Sequence, residues 1–167
     1  MTILGDKIKS ATQIQSIIKR IAYQIYENNI EQKELVIVGI APRGCELASE
    51  IIKALEIFCS LKINYVELKV NKDNPRDTIE CNISKSELEN KSIVIVDDVL
   101  NTGSTLIYAV KYFLTIPIYQ IKTAVMVNRN HKNFPIKADF KGISLSTSTN
   151  EHVSVILDVK KGGIFLR

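Results

Sequence analysis

Three short, largely apolar runs constrain this chain most: the continuous "LVIVGI" at 35–40, then "SIVIVDD" at 92–98 and "IKTAVMV" at 121–127. Each is too short for a helix, is rich in β-branched residues and lacks polar–apolar alternation. That pattern belongs to strands covered on both faces, as in a parallel sheet. The stretches between them carry helical spacing instead. Ile14, Ile17, Ile18, Ile21 and Ile25 recur through 12–29, with Ser10 or Thr12 placed to cap the start. Leu47, Ala48, Ile51, Ile52 and Leu55 mark a second helix, and Leu106, Ile107, Val110, Phe113 and Leu114 a third. The alternation predicts an α/β fold: a central, mostly parallel sheet flanked by helices and joined by right-handed crossovers.

The remaining segments are less regular. "LKINYVELKV" (61–70) reads as a further strand, "NKDNPRDT" (71–78) as a mobile polar loop and "IECNI" as a short strand beyond it. After residue 128 the chain breaks into "ADFKGI", "VSVILDV" and "IFLR", with "KKGG" suited to a hairpin. This end predicts a small C-terminal β region appended to the sheet as a hood. No repeat, low-complexity tract or linker divides the sequence, so residues 1–167 read as a single domain.

Composition narrows the class. An apolar share of 46% with 24% charged residues is that of a soluble globular protein. The net charge of +4 is compatible with phosphorylated ligands, but lysines scattered for solubility are the simpler reading of it. It is too mild for a dedicated nucleic-acid protein. Cys45, Cys59 and Cys81 are odd in number and form no C-x-x-C pair. That argues against a disulfide framework or a zinc knuckle and fits a reducing cytoplasm. No apolar run approaches the roughly 20 residues of a membrane span. The opening "MTILGDKIKSATQ" lacks the long apolar stretch of a signal peptide.

"IVIVDDVLNTGST" (93–105) ends a buried strand in two carboxylates and passes into small residues and hydroxyls. In open α/β sheets, ligands bind beyond the carboxyl ends of the strands. The amides of "NTGST", at the start of the next helix, suit an anion such as phosphate. Thr102, Ser104 and Thr105 add hydroxyl donors. Asp97 and Asp98 would repel a phosphate unless something lies between. Vicinal sugar hydroxyls do that, and so does a Mg²⁺ shared with a second phosphate. The stretch therefore asks for a sugar with phosphate at one end and hydroxyls in the middle. A carboxylate capping the helix is the structural alternative, but a cap uses one acid and here there are two. No Walker loop and no G-x-G-x-x-G occurs.

Four apolar residues, "DDVLNTGST" and a helix resemble the signature of the type I phosphoribosyltransferases, which bind 5-phosphoribosyl-1-pyrophosphate (PRPP). The resemblance implies that Asp97 and Asp98 hold the ribose hydroxyls. Asn101, Thr102, Gly103, Ser104 and Thr105 would wrap the 5′-phosphate, with Val99 and Leu100 completing the PRPP-binding segment. "VGIAPRG" (38–44) also ends a buried strand. There Pro42, Arg43 and Gly44 would meet the pyrophosphate, in a loop that in the family often holds a strained cis peptide. Arg43 offers charge-assisted bonds and Gly44 close backbone approach. Asp97, Asp98 and Arg43 are the implied catalytic set. Mg²⁺ is the implied cofactor, carried by PRPP, with Asp97 the one side chain that could join it.

The tail "AVMVNRNHKNFPIKADFKGISLSTS" and the first helix are similar to PyrR-type members of that family, pyrimidine-operon attenuators that also make UMP from uracil. The resemblance implies PRPP and a nucleobase, uracil first, as partners, and a homodimer or larger assembly. Asn128, Arg129 and Val153 are candidates for the nucleobase end. Asn128 stands where the family has aspartate and Asn130 where it has glycine; Lys72 replaces an arginine in a shortened loop at 71–83. Arg20, Arg129 and His131 match basic RNA-binding positions, whereas Tyr23, Asn28 and Ile143 replace cations or a histidine. Phosphate neutralisation dominates RNA affinity, so a transferase leads and an RNA-binding, nucleotide-sensing attenuator is the alternative.

Overall fold

The structure, a computed structural model, describes residues 4–167; the first three residues of the opening stretch and of the 1–167 span lie outside them. In chain order the elements are β1 (Asp6–Ser10), α1 (Ala11–Asn28), β2 (Glu34–Ile40), α2 (Arg43–Phe58), β3 (Lys62–Lys69) and β4 (Glu80–Cys81). A 3₁₀ turn (Lys85–Leu88) follows, then β5 (Ser92–Leu100), α3 (Ser104–Leu114), β6 (Gln120–Arg129), β7 (Phe140–Leu145), β8 (Val153–Ile156) and β9 (Gly163–Leu166). Six strands form one sheet in the order β4-β3-β2-β5-β6-β7, parallel except for β4. The α/β architecture expected from the alternating runs is thus the one observed.

The apolar runs explain themselves in this sheet. Leu35 and Ile37 of β2, with Val94 and Val96 of β5, pack under α1 and α2. The alternate residues Val36, Val38, Ile40, Ile93 and Ile95 face the other way, against Leu106, Ala109 and Phe113 of α3. Both faces of each strand are dry, so neither can alternate with polar residues. Helix α1 starts where Ser10 caps it: its Oγ accepts from the Gln13 amide at 3.2 Å, and Gln13 Oε1 accepts from the Ser10 amide at 2.8 Å. This reciprocal box satisfies two donors that the helix end leaves open.

The sequence of connections fixes where a ligand can enter. β2 lies between β3 and β5, so the chain leaves β2 toward one edge and leaves β5 toward the other. Loops at such a reversal diverge and open a crevice at the carboxyl ends of the two strands. The 41–44 and 101–103 segments flank that crevice.

Two expectations need correction. The strand read as 92–98 continues through Leu100, because Val99 and Leu100 stay in register with Val127 and Asn128 of β6. The paired acids therefore lie within the strand, Asp98 two residues short of its end. The tail is not all hood: β7 adds a parallel edge strand to the main sheet through Ala124↔Phe140 to Arg129↔Leu145. The hood is instead a three-stranded antiparallel sheet, β1-β9-β8, in which residues 6–10, of which only Ser10 was given a role above, pair with β9. The polar 71–78 stretch is a loop, as its composition predicts, and makes its own internal bonds. Asn71 Nδ2 donates to Asp77 Oδ2 at 2.7 Å, Asn74 Nδ2 to Asp77 Oδ1 at 2.5 Å, and the amides of Asp73 and Asn74 to Asn71 Oδ1.

Candidate active site

Gly44 opens α2 beside β5, and the two backbones nearly touch there. A Cβ on Gly44 would lie 2.4 Å from the Val96 carbonyl oxygen and 3.1 Å from Asp97 Cα. Only glycine lets the start of α2 approach the acids so closely. Gly103 has a second requirement: its φ of +88° is left-handed, and a Cβ would meet Ile136 Cγ2 at 2.3 Å. The loop it sits in is held from behind, where the Thr102 carbonyl accepts from the amides of Asn133 (2.8 Å) and Phe134 (3.2 Å). Thr102 Oγ1 also accepts from the Ser104 amide at 3.3 Å.

A cavity of about 400 Å³ opens between these loops, lined by Arg43, Lys72, the run Asp97–Leu106, Arg129, His152 and the β8 residues Val153 and Ser154. Asp97 is 3% exposed and Asp98 9%. Asp97 Oδ1 accepts from the Asp98 amide and Asp98 Oδ1 from the Val99 amide, both at 2.9 Å. Lys72 reaches over from the 71–78 loop to 3.6 Å from Asp97 Oδ1. Burial pushes the Asp97 carboxyl up to about 7; Lys72 opposes the shift and the neighbouring Asp98 adds to it.

The residues singled out from sequence fall into three groups. Arg43, Asp97, Asp98, Val99, Leu100, Asn101, Thr102, Gly103, Ser104, Thr105, Arg129 and Val153 all line the cavity. Pro42 and Gly44 set its edge without lining it; the cis bond is Ala41–Pro42, and the Arg43 guanidinium is turned to the hood, Nη1 donating to the Val155 carbonyl at 3.2 Å. Asn128 stands behind the wall, in register with Leu100; its Nδ2 donates to Ser144 Oγ at 3.3 Å, and its buried Oδ1 has no partner among the described residues. Arg129, 6% exposed, spends its donors on Thr147, Ser148 and Glu151. His131 meets the Thr147 carbonyl, and Arg20 donates to the Lys141 and Gly142 carbonyls. His152 and Ser154 escaped sequence reasoning. Their one signal was the alternation in "HVSVI", which marks a strand but not what it faces.

Among the described residues no three His, Cys, Asp or Glu side chains gather into a metal cage, and no helix is long and apolar enough to cross a membrane. Two adjacent carboxylates at a polar cavity do fit a Mg²⁺ that takes most of its oxygens from a bound phosphate and water.

Comparison with known proteins places this geometry. The phosphoribosyl transferase domain profile matches residues 5–160. A protein called bifunctional protein PyrR from Leuconostoc citreum is 36% identical over 92% of this chain and 91% of its own length. The pyrimidine operon regulatory protein of Lactococcus lactis subsp. lactis is 34% identical over 87% and 86%. Among solved structures, the hypoxanthine phosphoribosyltransferase of Trypanosoma cruzi superposes with a TM-score of 0.78 at 20% identity, covering 90% of this chain and 86% of that one. A hypoxanthine-guanine phosphoribosyltransferase from Bacillus anthracis gives 0.78 at 14% identity, covering 96% and 97%. These two likenesses are of fold. With the profile and the relatives both spanning nearly the whole sequence, the chain belongs to the type I phosphoribosyltransferase family.

Proposed function

We propose that the protein transfers 5-phosphoribose from PRPP to a nucleobase, with uracil the first candidate and UMP and pyrophosphate the products. One observation carries the reading: the paired acids and the Asn101–Thr105 loop share one cavity at the crevice between β2 and β5. The loop's amides and the first turn of α3 suit the 5′-phosphate. The ribose diol then falls beside Asp97 and Asp98, whose oxygens accept from its hydroxyls. Those donors replace the water that burial removes from Asp97, so binding favours its ionised form.

The base attacks C1′ as pyrophosphate leaves. Holding both reactants in one cavity supplies the larger part of such an acceleration, and the ionised acids stabilise positive charge developing on the ribose. Mg²⁺, held by the pyrophosphate and reached by Asp97, would neutralise the leaving group. Arg43 sits where its guanidinium can turn from the Val155 carbonyl to a phosphate oxygen. The base end lies under β8, with Val153 and the Arg129 wall, and Asn128 stands behind that wall. Pyrophosphate release measured with uracil, hypoxanthine, guanine, xanthine and orotate in turn tests the proposal. Turnover with uracil supports it; release with none of the five ends it.

The names of the relatives favour a second reading, a regulator that senses a nucleotide and binds RNA. Of the basic positions matched to RNA contacts, Arg129 and His131 are engaged with the hood linker. Titration of a pyrimidine-attenuator RNA at several salt concentrations separates the readings: tight, selective binding with a steep salt slope supports the regulator.

A further inference from the structure

The linker from β7 to β8, residues 146–152, is polar, and between Ser146 and Asn150 Thr147 alone is buried. All three of its polar atoms are taken by three consecutive residues at the end of β6. Arg129 donates to Thr147 Oγ1 from Nε at 3.0 Å and from Nη2 at 2.8 Å. The Thr147 amide donates to Asn130 Oδ1 at 3.2 Å, and its carbonyl meets His131 Nε2. Arg129 Nη2 extends the grip along the linker, to the Ser148 carbonyl at 3.2 Å and the Glu151 carbonyl at 2.8 Å. Immediately after Glu151 come His152, Val153 and Ser154, the hood's share of the cavity wall.

We propose that Thr147 is a positioning residue: its hydroxyl and backbone lock the hood linker to the end of β6 and so fix the β8 wall over the nucleobase end of the cavity. The phosphate end is held by other bonds, the Thr102 carbonyl accepting from the amides of Asn133 and Phe134. A buried guanidinium needs its acceptors, so removing the hydroxyl takes away the acceptor of Nε and one of the three acceptors of Nη2, and loosens the linker's hold on the end of β6. The lock acts through the placement of β8, which otherwise meets the main body through its hood partner β9, the Arg43 bond to the Val155 carbonyl and the packing of Val153 and Val155 in the core. The part concerning substrate rests on the proposed transferase reading; the part concerning the linker does not.

The test compares Thr147→Val, which keeps shape and loses the hydroxyl, with Thr147→Ser, which keeps the hydroxyl. Hydrogen–deuterium exchange of the ligand-free protein is read over residues 147–156, alongside KM for each substrate. Thr147→Val should exchange at least 10-fold faster there, with β5 and β6 unchanged, and should raise KM for the base about 10-fold with KM for PRPP within twofold. Thr147→Ser should stay within threefold of wild type in every readout. Equal exchange in Thr147→Val and wild type overturns the lock; a parallel rise in both KM values, or a serine variant behaving like valine, overturns the positioning role. If Thr147→Val does not fold, Asn130→Ala, changed at an exposed side chain, decides: unchanged exchange over 147–156 sinks the proposal. Wild type that turns over no base at all would instead refute the transferase reading, leaving exchange to judge the lock.

Discussion

Asp97 holds its proton in the fold to about pH 7, against about 4 for a carboxyl in an unfolded chain. Between those values the native state binds more protons than the unfolded one, so stability falls as pH rises through the window and is level above it. Asp97→Asn removes that loss. Its Tm should exceed wild type by on the order of 5 °C more at pH 8 than at pH 5, from about 1.4 kcal/mol per unit and 2–4 °C per kcal/mol in a chain of this size. Equal Tm differences at the two pH values, in paired thermal melts, would show the carboxyl to be ionised throughout. Arg43 is tested differently: Arg43→Ala should weaken pyrophosphate binding about 10-fold and monophosphate binding by less than twofold in calorimetry. At this scale the sequence was informative where chemistry is carried by side chains in a fixed local pattern, as in Asp97–Thr105. It was silent on His152, because facing a cavity depends on which element lies opposite.

Elements were legible by period and obscure by partner. The run ending at Asp98 read as a strand of 92–98, yet the last two residues were settled by β6, which pairs as far as Leu100↔Asn128. Residues 6–10 carry no strand signal strong enough to stand out; they are a strand because β9 offers an edge. Gly44 shows the reverse, a local residue with a long-range reason. Gly44→Ala should cost about 1–3 kcal/mol by driving a methyl against the Val96 carbonyl, read as a fall in the denaturant midpoint with an unchanged m-value. The 71–78 loop has a brace that can be cut singly. Asn71→Ala removes the acceptor of two amides and the donor to Asp77, so trypsin should cleave after Arg76 several-fold faster than in wild type. Unchanged cleavage would mean that the brace does not hold the loop.

At the scale of the whole molecule, the alternation of elements predicted the class, and the strand order that creates the crevice could only come from pairing. The crevice gives a global readout. PRPP with Mg²⁺, at a concentration near 100 times its Kd, should stabilise the fold by about 2.7 kcal/mol. That is a rise of roughly 5–11 °C in Tm. No rise in Tm under those conditions would leave the cavity without its proposed occupant.

β1 and β9 pair from Asp6↔Leu166 to Ser10↔Gly163, which brings the first described strand and the last side by side. A peptide bridge of a few residues could therefore join them, and the polypeptide could be reopened in the Leu157–Gly162 turn without losing any main-sheet strand. Such a circular permutant would preserve the β2–β5 crevice while cutting the hairpin that ties β8 to β9. An affinity handle inserted just before β1 or just after β9 would, for the same reason, hang beside the hood sheet that lends β8 to the cavity rather than at a distant corner.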